Sequence, residues 1–361
     1  MNNDCLKLTT YFGERDRTDN QLLADELVDL FGAHQIETSA LLRGISGFGL
    51  KHHLHTDQLL SISEDLPLVC VAVDSRARID ALLPDVMAIQ RRGLVTLERA
   101  RMVTADASST DPGSELDEMT KLTVYVGRKE RFDGADAFRA VCERLYHHGL
   151  AGATVLLGVD GTTHGLRKRA SLFNRNGNVP MMIISVGASD QIVSLLPELA
   201  ALDPRPALTL ERIRLCKRDG ELLAQPDSLP GVDEHGLGIW QKLMVHTSES
   251  ARHDGKPLHR ALTTRLRAAN VAGATTLRGV WGFHGDHAPH GDRLLQAHRH
   301  VPVVTIVIDR PERIAQAFGI IDEMTSERGL VTSEMVPAAR AMSEQRTTGG
   351  VRLAQHDIQE D

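Results

Sequence analysis

The stretch Leu41-Leu42-Arg43-Gly44-Ile45-Ser46-Gly47-Phe48-Gly49 is an apolar run that ends in an arginine and closely spaced glycines. It returns in altered form as Val155-Leu156-Leu157-Gly158-Val159-Asp160-Gly161 and as Thr276-Leu277-Arg278-Gly279-Val280-Trp281-Gly282-Phe283. Each copy follows a Lys-Leu pair at a constant distance. Lys7 to Arg43, Lys121 to Leu157 and Lys242 to Arg278 are each 36 residues apart, with no gap needed. One unit is written three times, and a repeated unit normally buries its core against its neighbours.

Each unit reads in the order β-α-β-β-α-β. In the first, residues 6–12 alternate and are β-prone, and Asp19 or Asn20 stands where a helix cap belongs. The helix that follows places Leu23, Leu27, Leu30 and Phe31 on one face. A strand over 38–45 precedes a polar loop, 46–65, that holds His52, His53 and His55. A third strand, 66–73, is apolar on both faces. A second helix carries Pro84 inside it, which predicts a kink or a break. A fourth strand covers 94–103. The repeats are assigned to 5–104, 120–217 and 240–340, with linkers at 105–119 and 218–239 and a flexible tail at 341–361.

Composition bounds the rest. Aromatic residues are 4% of the chain, so the cores are aliphatic, and the net charge of −7 argues against a nucleic-acid partner. The four cysteines, Cys5, Cys70, Cys142 and Cys216, are scattered and form no C-x-x-C pair, which fits a reducing cytoplasm. The first residues carry no basic start and no apolar run, so no signal peptide is expected. No apolar stretch reaches the ~20 residues that span a bilayer.

A four-stranded unit of this order puts both helices on one face of its sheet. The other face is apolar, and exposing it would cost about 25 cal/mol per Å². Three such faces on one chain can cover one another, which predicts a monomer that is internally trimeric.

The motifs Lys7-Leu8, Tyr11-Phe12-Gly13, Glu64-Asp65-Leu66-Pro67, Gly93-Leu94-Val95-Thr96, Gly152-Ala153-Thr154, Asp254-Gly255-Lys256-Pro257, Gly273-Ala274-Thr275 and Gly329-Leu330-Val331-Thr332 together resemble the PII-like proteins of domain-of-unknown-function family 190. The second repeat departs from the pattern: Leu157 replaces the arginine, and Thr162-Thr163 replaces Phe-Gly. The resemblance implies an α+β fold of three tandem ferredoxin-like repeats packed as a PII-like pseudo-trimer. It also implies a signalling role. A small effector would bind in clefts between repeats, and mobile loops would change their contacts with a partner protein, such as a membrane transporter or channel. An adenine nucleotide is the one candidate cofactor, and the residues do not fix it.

Two elements are candidates for the effector. The glycine stretches can cradle an anion, with Gly44, Gly47, Gly49, Gly158, Gly279 and Gly282 opening backbone N–H groups and with Arg43 and Arg278 adding bidentate contacts. The same glycines also suit a tight strand exit with no ligand. On the fourth strands, Arg99 and Arg101 share a face, as do Arg212 and Arg214, and such pairs suit phosphate or plain solvent. The unequal motifs predict that one or two clefts bind and the rest are structural. A rival reading takes His284, His287 and His290 as ligands of a divalent metal, since imidazole suits zinc or copper. No carboxylate pair, Ser/His/Asp set or activated cysteine stands at matching positions in the three units, so catalysis is not expected.

Overall fold

The computed structural model describes residues 2–19, 21–49, 55–56, 65–103, 118–167, 178–284, 289–291, 301–344 and 346–356. The first repeat runs β1 (Asn2–Gly13), α1 (Leu23–Ala33), β2 (Thr38–Phe48), β3 (Pro67–Ser75), α2 (Arg76–Ile89) and β4 (Gly93–Met102). The second runs β5 (Met119–Gly127), α3 (Ala137–His147), β6 (Gly152–Leu157), β7 (Asp160–Thr163), β8 (Pro180–Ala188), α4 (Ser189–Ala200), β9 (Ala207–Arg212) and β10 (Arg214–Arg218). The third runs β11 (Trp240–Ser248), α5 (Leu258–Ala268), β12 (Ala274–Arg278), β13 (Trp281–His284), β14 (Pro302–Asp309), α6 (Pro311–Met324), β15 (Leu330–Val336) and β16 (Ala338–Met342). The helices among the described residues are short, from 11 to 14 residues. None is long and apolar enough to cross a membrane.

Local chemistry explains the helix ends. No side chain caps α1; its start is held instead by the Leu23 N–H on the Asp16 carbonyl oxygen. Pro84 and Pro197 lie inside single helices, so the expected break does not occur. Each helix pair covers an apolar cluster drawn mainly from its own repeat, seen in Leu27, Phe31 and Leu82, in Val141, Leu145 and Leu195, and in Leu262, Ile314 and Phe318. The sheet faces away from the helices meet in a fourth cluster drawn from all three repeats, including Val71, Met182 and Val304.

The expected α+β arrangement of three self-contained ferredoxin-like sheets docked as a pseudo-trimer is corrected. The protein is mostly sheet, with a closed eight-stranded antiparallel barrel. The ladders run from β4 through β1, β3, β2, β12, β14, β11 and the β15–β16 strand back to β4. The physical reason is edge pairing. A separate sheet would leave the outer strands' N–H and C=O groups unpaired, and continuation across repeat boundaries satisfies them. Further crossings join β7 to β2, β13 to β6, β9 to β4 and β10 to β15.

The glycine stretches make these crossings possible. A Cβ on Gly47 would lie 2.7 Å from the Ala274 carbonyl oxygen, one on Gly161 would lie 2.2 Å from that of Ser39, and one on Gly282 would lie 2.1 Å from that of Ala153. Each meets a strand of the preceding repeat in the cycle. Gly161 and Gly282 also have φ of +153° and +156°, where a side chain is strained.

At the centre, six charged side chains form a buried ring. Lys7 binds Glu98 of its own repeat at 3.2 Å and Glu211 of the second. Lys121 binds Glu211 at 3.0 Å and Glu334 of the third repeat. Lys242 binds Glu334 at 2.9 Å and Glu98 of the first. All six residues are at most 7% exposed. Burial alone would raise the Glu211 carboxyl, but the ammonium groups of Lys121 and Lys7 outweigh it and hold it down at about 2. Glu98 is lowered in the same way, by Lys242 and Lys7 against its burial.

Four outcomes follow. Lys121→Met leaves buried carboxylates uncompensated and should lower stability by about 3–5 kcal/mol in denaturant unfolding. The carboxyls take up protons at lower pH in the folded chain than in the unfolded one, whose ordinary value is 4.5. The ring's contribution is therefore complete above that value and lost as pH falls toward 2, so an acid titration followed by circular dichroism should show unfolding begin below pH 4.5. Gly161→Ala should cost about 1–3 kcal/mol by overpacking. Gly49→Ala, which meets nothing within 4 Å, should stay within about 0.5 kcal/mol of the parent.

Candidate functional site

The strand crossings leave clefts between repeats, and they are unequal. Between repeats one and three lies a cavity of about 310 Å³. Its floor is the start of β12 with Ile306 and Ile308 of β14; its walls are Tyr11 to Gly13, Phe48 and Leu94, with Trp240 from β11. Gly47 and Gly49 line it, as the glycine-stretch reading expects. Among the described residues, its charged lining residues are Asp16, Asp65 and Arg92. Asp16 accepts the Gly13 N–H at 2.8 Å, Asp65 accepts the Arg15 N–H at 2.7 Å, and Arg92 pairs with Glu344. Trp240 is 3% exposed, and its indole N–H meets no acceptor among the described residues. The Arg310 guanidinium stacks over its ring at 4.5 Å. Burial raises the Tyr11 phenol, and the Glu98 carboxylate adds to the shift.

The matching cleft between repeats three and two measures about 70 Å³. Here His246 stands at the position of Tyr11, four residues past the ring lysine. Burial pushes His246 down to about 3, and Lys121 and His284 push in the same direction. Gly282, His284 and His290 line this smaller cleft, and His284 pairs with Asp219 at 2.7 Å.

At the third junction, between repeats two and one, Thr162 occupies the place held elsewhere by phenylalanine. It donates its N–H to the Ser39 hydroxyl at 2.9 Å and its own hydroxyl to the Ile36 carbonyl at 2.9 Å. Arg167 adds pairs to Asp160 at 2.8 Å and to Asp29. The departure of repeat two from the motif is thus a polar seam.

The sequence-predicted residues are distributed among these places. Gly44 and Gly279 press against Pro67 and Pro302, and Gly158 against the Pro180 carbonyl, so their nearest approaches are to prolines of their own repeats, with Thr276 and Val155 carbonyls of the neighbouring repeat next to Gly44 and Gly279 at 3.2 Å. Arg43 pairs with Glu14 at 2.7 Å and Arg278 with Glu249 at 2.7 Å, and neither lines a cleft described above. Arg99, Arg212 and Arg214 gather in a wider cavity of about 870 Å³ that also holds Glu118, Asp227 and Glu334. There Arg99 donates to the Ala354 carbonyl at 2.8 Å and Arg214 pairs with Asp227 at 3.2 Å. Arg101 sits opposite Leu210 in the β4–β9 ladder and lines none of the three cavities.

His287, like His52 and His53, lies outside the described residues. Among the described residues, the group of His, Cys, Asp and Glu close enough to share an ion is Glu98, Glu211 and Glu334, and three lysines already neutralise it. Burial pushes the Cys216 thiol up to about 12 and raises Cys70 and Cys142 as well, so these thiols are poor nucleophiles. Sequence reasoning missed the ring carboxylates. Their signal is a repeated Thr-x-Glu on the last strand: Thr96-Leu97-Glu98, Thr209-Leu210-Glu211 and Thr332-Ser333-Glu334.

Comparison with known proteins agrees with the triplication. The profile of domain-of-unknown-function family 190 (DUF190, an uncharacterised ACR family) matches residues 5–102, 119–215 and 240–338. A UPF0166 protein of Aquifex aeolicus (strain VF5) is 30% identical over 95 residues, which is 26% of this chain and 88% of that protein. Among solved structures, CrmK, a flavoenzyme involved in the shunt product recycling mechanism in caerulomycin biosynthesis, is 12% identical with a TM-score of 0.18. The match covers 80% of this chain and 56% of CrmK, and likeness at that level carries no argument. The profile covers most of the chain in three tandem segments, and the protein belongs to DUF190 three times over.

Proposed function

We propose that this chain is a cytoplasmic regulatory protein that binds one small effector in the cleft between repeats one and three. The observation that supports it most is a cavity of about 310 Å³ lined by aromatic and branched aliphatic side chains of two repeats, with Asp16, Asp65 and Arg92 among its lining residues. That volume lies at the lower end of ordinary ligand sites, and convergent polar groups in an apolar cleft are their usual lining. Gly49 and Asp65 both line the cleft. Effector binding would then bias the chain beside the cleft by differential affinity for two states and change its contacts with a partner protein. A membrane transporter or channel is the class of partner that the family resemblance suggests. The smaller cleft and the threonine seam favour one site per chain rather than three.

Calorimetry with a metabolite panel, repeated on Leu94→Tyr and Thr275→Tyr, tests this reading. Both residues line the larger cleft. The expected result is binding at one site per chain that either filling substitution reduces at least tenfold while the melting temperature stays near that of the parent. Three equivalent sites, or binding indifferent to both substitutions, would overturn it.

A further inference from the structure

We propose that the C-terminal hairpin is a flap over the larger cleft, latched by the Arg92–Glu344 pair, and that the effector enters beneath it. This rests on the effector reading above and names the element that controls access to that site.

The flap lies beyond the repeated unit. The family profile ends at residue 338, where β16 begins. β16 pairs with Thr347–Gly350 on one side and with β4 of the first repeat on the other. Ala341, Met342 and Ser343 line the larger cleft. The returning arm of the hairpin reaches the same wall: a Cβ on Gly349 would lie 3.2 Å from the Trp240 ring.

The two ends of the flap are held differently. At its base Ala338 and Ala339 are buried, and the chain past Gly350 is tied down through its backbone. The Ala354 N–H donates to the Pro337 carbonyl at 2.7 Å, and the Gln355 N–H donates to the Asp233 carboxylate at 2.9 Å. The ladder to β4 runs from Ala338 to Met342, so Ser343 and Glu344 lie past its last pair. There the Ser343 N–H closes the turn on the Arg346 carbonyl at 2.8 Å, and Glu344 pairs with Arg92, itself a lining residue of the cleft. The two side chains of that pair are 51% and 50% exposed. An ion pair so open to water is weak and is screened by salt, which suits a contact that must open and close.

The extension that follows repeat two takes the opposite course. β10 pairs with β15 of the next repeat as β16 pairs with β4. It is pinned by Lys217, 3% exposed, whose ammonium pairs with the Asp322 carboxylate and donates to the Asp322 carbonyl at 2.7 Å. Releasing that contact would strand a buried charge. One extension is therefore fixed, and the extension beside the roomy cleft is latched at the surface.

The chain has two tryptophans, Trp240 and Trp281. In Trp281→Phe the emission is that of Trp240 alone, and acrylamide, a small neutral quencher, reports how often the flap uncovers it. Glu344→Gln and Arg92→Gln in that background should each raise the quenching rate constant about two- to fivefold, the range an exposed pair supplies, and the double variant should go no higher. Sodium chloride at about 1 M, which confines charge interactions to about 3 Å, should raise quenching in Trp281→Phe and leave the latch variants unmoved. Hydrogen exchange on Glu344→Gln with both tryptophans kept should quicken at 341–344, while 69–73 in β3 exchanges as in the parent. Quenching and exchange unchanged by either single substitution would overturn the latch. So would faster exchange at 69–73 to the same degree, since that is a general loosening. Neither result touches the effector reading, which fails instead if calorimetry finds binding indifferent to Leu94→Tyr and Thr275→Tyr.

Discussion

Six charges with almost no access to water hold the middle of this molecule. Moving a lone ammonium or carboxylate out of water costs several kcal/mol even after relaxation, so such groups persist only when fully compensated. Here each lysine sits between the glutamate of its own repeat and that of the next, and the cycle closes with equal numbers of each sign. Any displacement of one repeat strands charges belonging to two others. A hydrophobic contact tolerates sliding, whereas a ring of paired charges has one arrangement that satisfies all its members. We read the ring as a device that fixes which repeat meets which, at a cost in stability that the surrounding apolar cluster offsets.

The strand crossings depend on that arrangement. Once the repeats are fixed around the ring, the ends of their outer strands lie against one another, and the ladders run on across the boundaries. The glycine stretch sits where each strand must come closest to a foreign carbonyl. Its sequence is therefore constrained by the neighbour's backbone. The freedom that remains falls on the residues beside it. Phenylalanine at Phe48 and Phe283 accompanies a cleft, and Thr162 at the same place seals the junction. Differences of a few side chains thus give one chain a roomy cleft, a cramped one and a polar seam.

Much of this was legible in the sequence. The triplication, the order of strands and helices, and the unequal quality of the three units all follow from spacing and period. The closure did not follow, because it depends on pairing between strands of the first and third repeats, far apart in the sequence, whose register no local pattern records. The ring was half visible. Lys7, Lys121 and Lys242 served as landmarks of the repeat, but lysine and glutamate normally prefer water. Along β4 and β9 the eye goes to Arg99, Arg101 and Arg212, whereas Glu98 and Glu211 point to the opposite, buried face of the same strands. Trp240 carried no signal at all. It precedes the third repeat's first lysine by two residues, where the first two repeats have Cys5 and Met119.

The central claim is that the three repeats are one cooperative structure because they share buried charges and continuous ladders. Native-state hydrogen exchange of the amides at 97–99, 210–212 and 333–335 measures this directly, since these backbone segments carry the ring carboxylates of each repeat. The account predicts that all three segments exchange only through global unfolding, with the same free energy and the same dependence on denaturant. One segment that opens at distinctly lower free energy while the other two stay protected would show that the repeats are independent, and would contradict it.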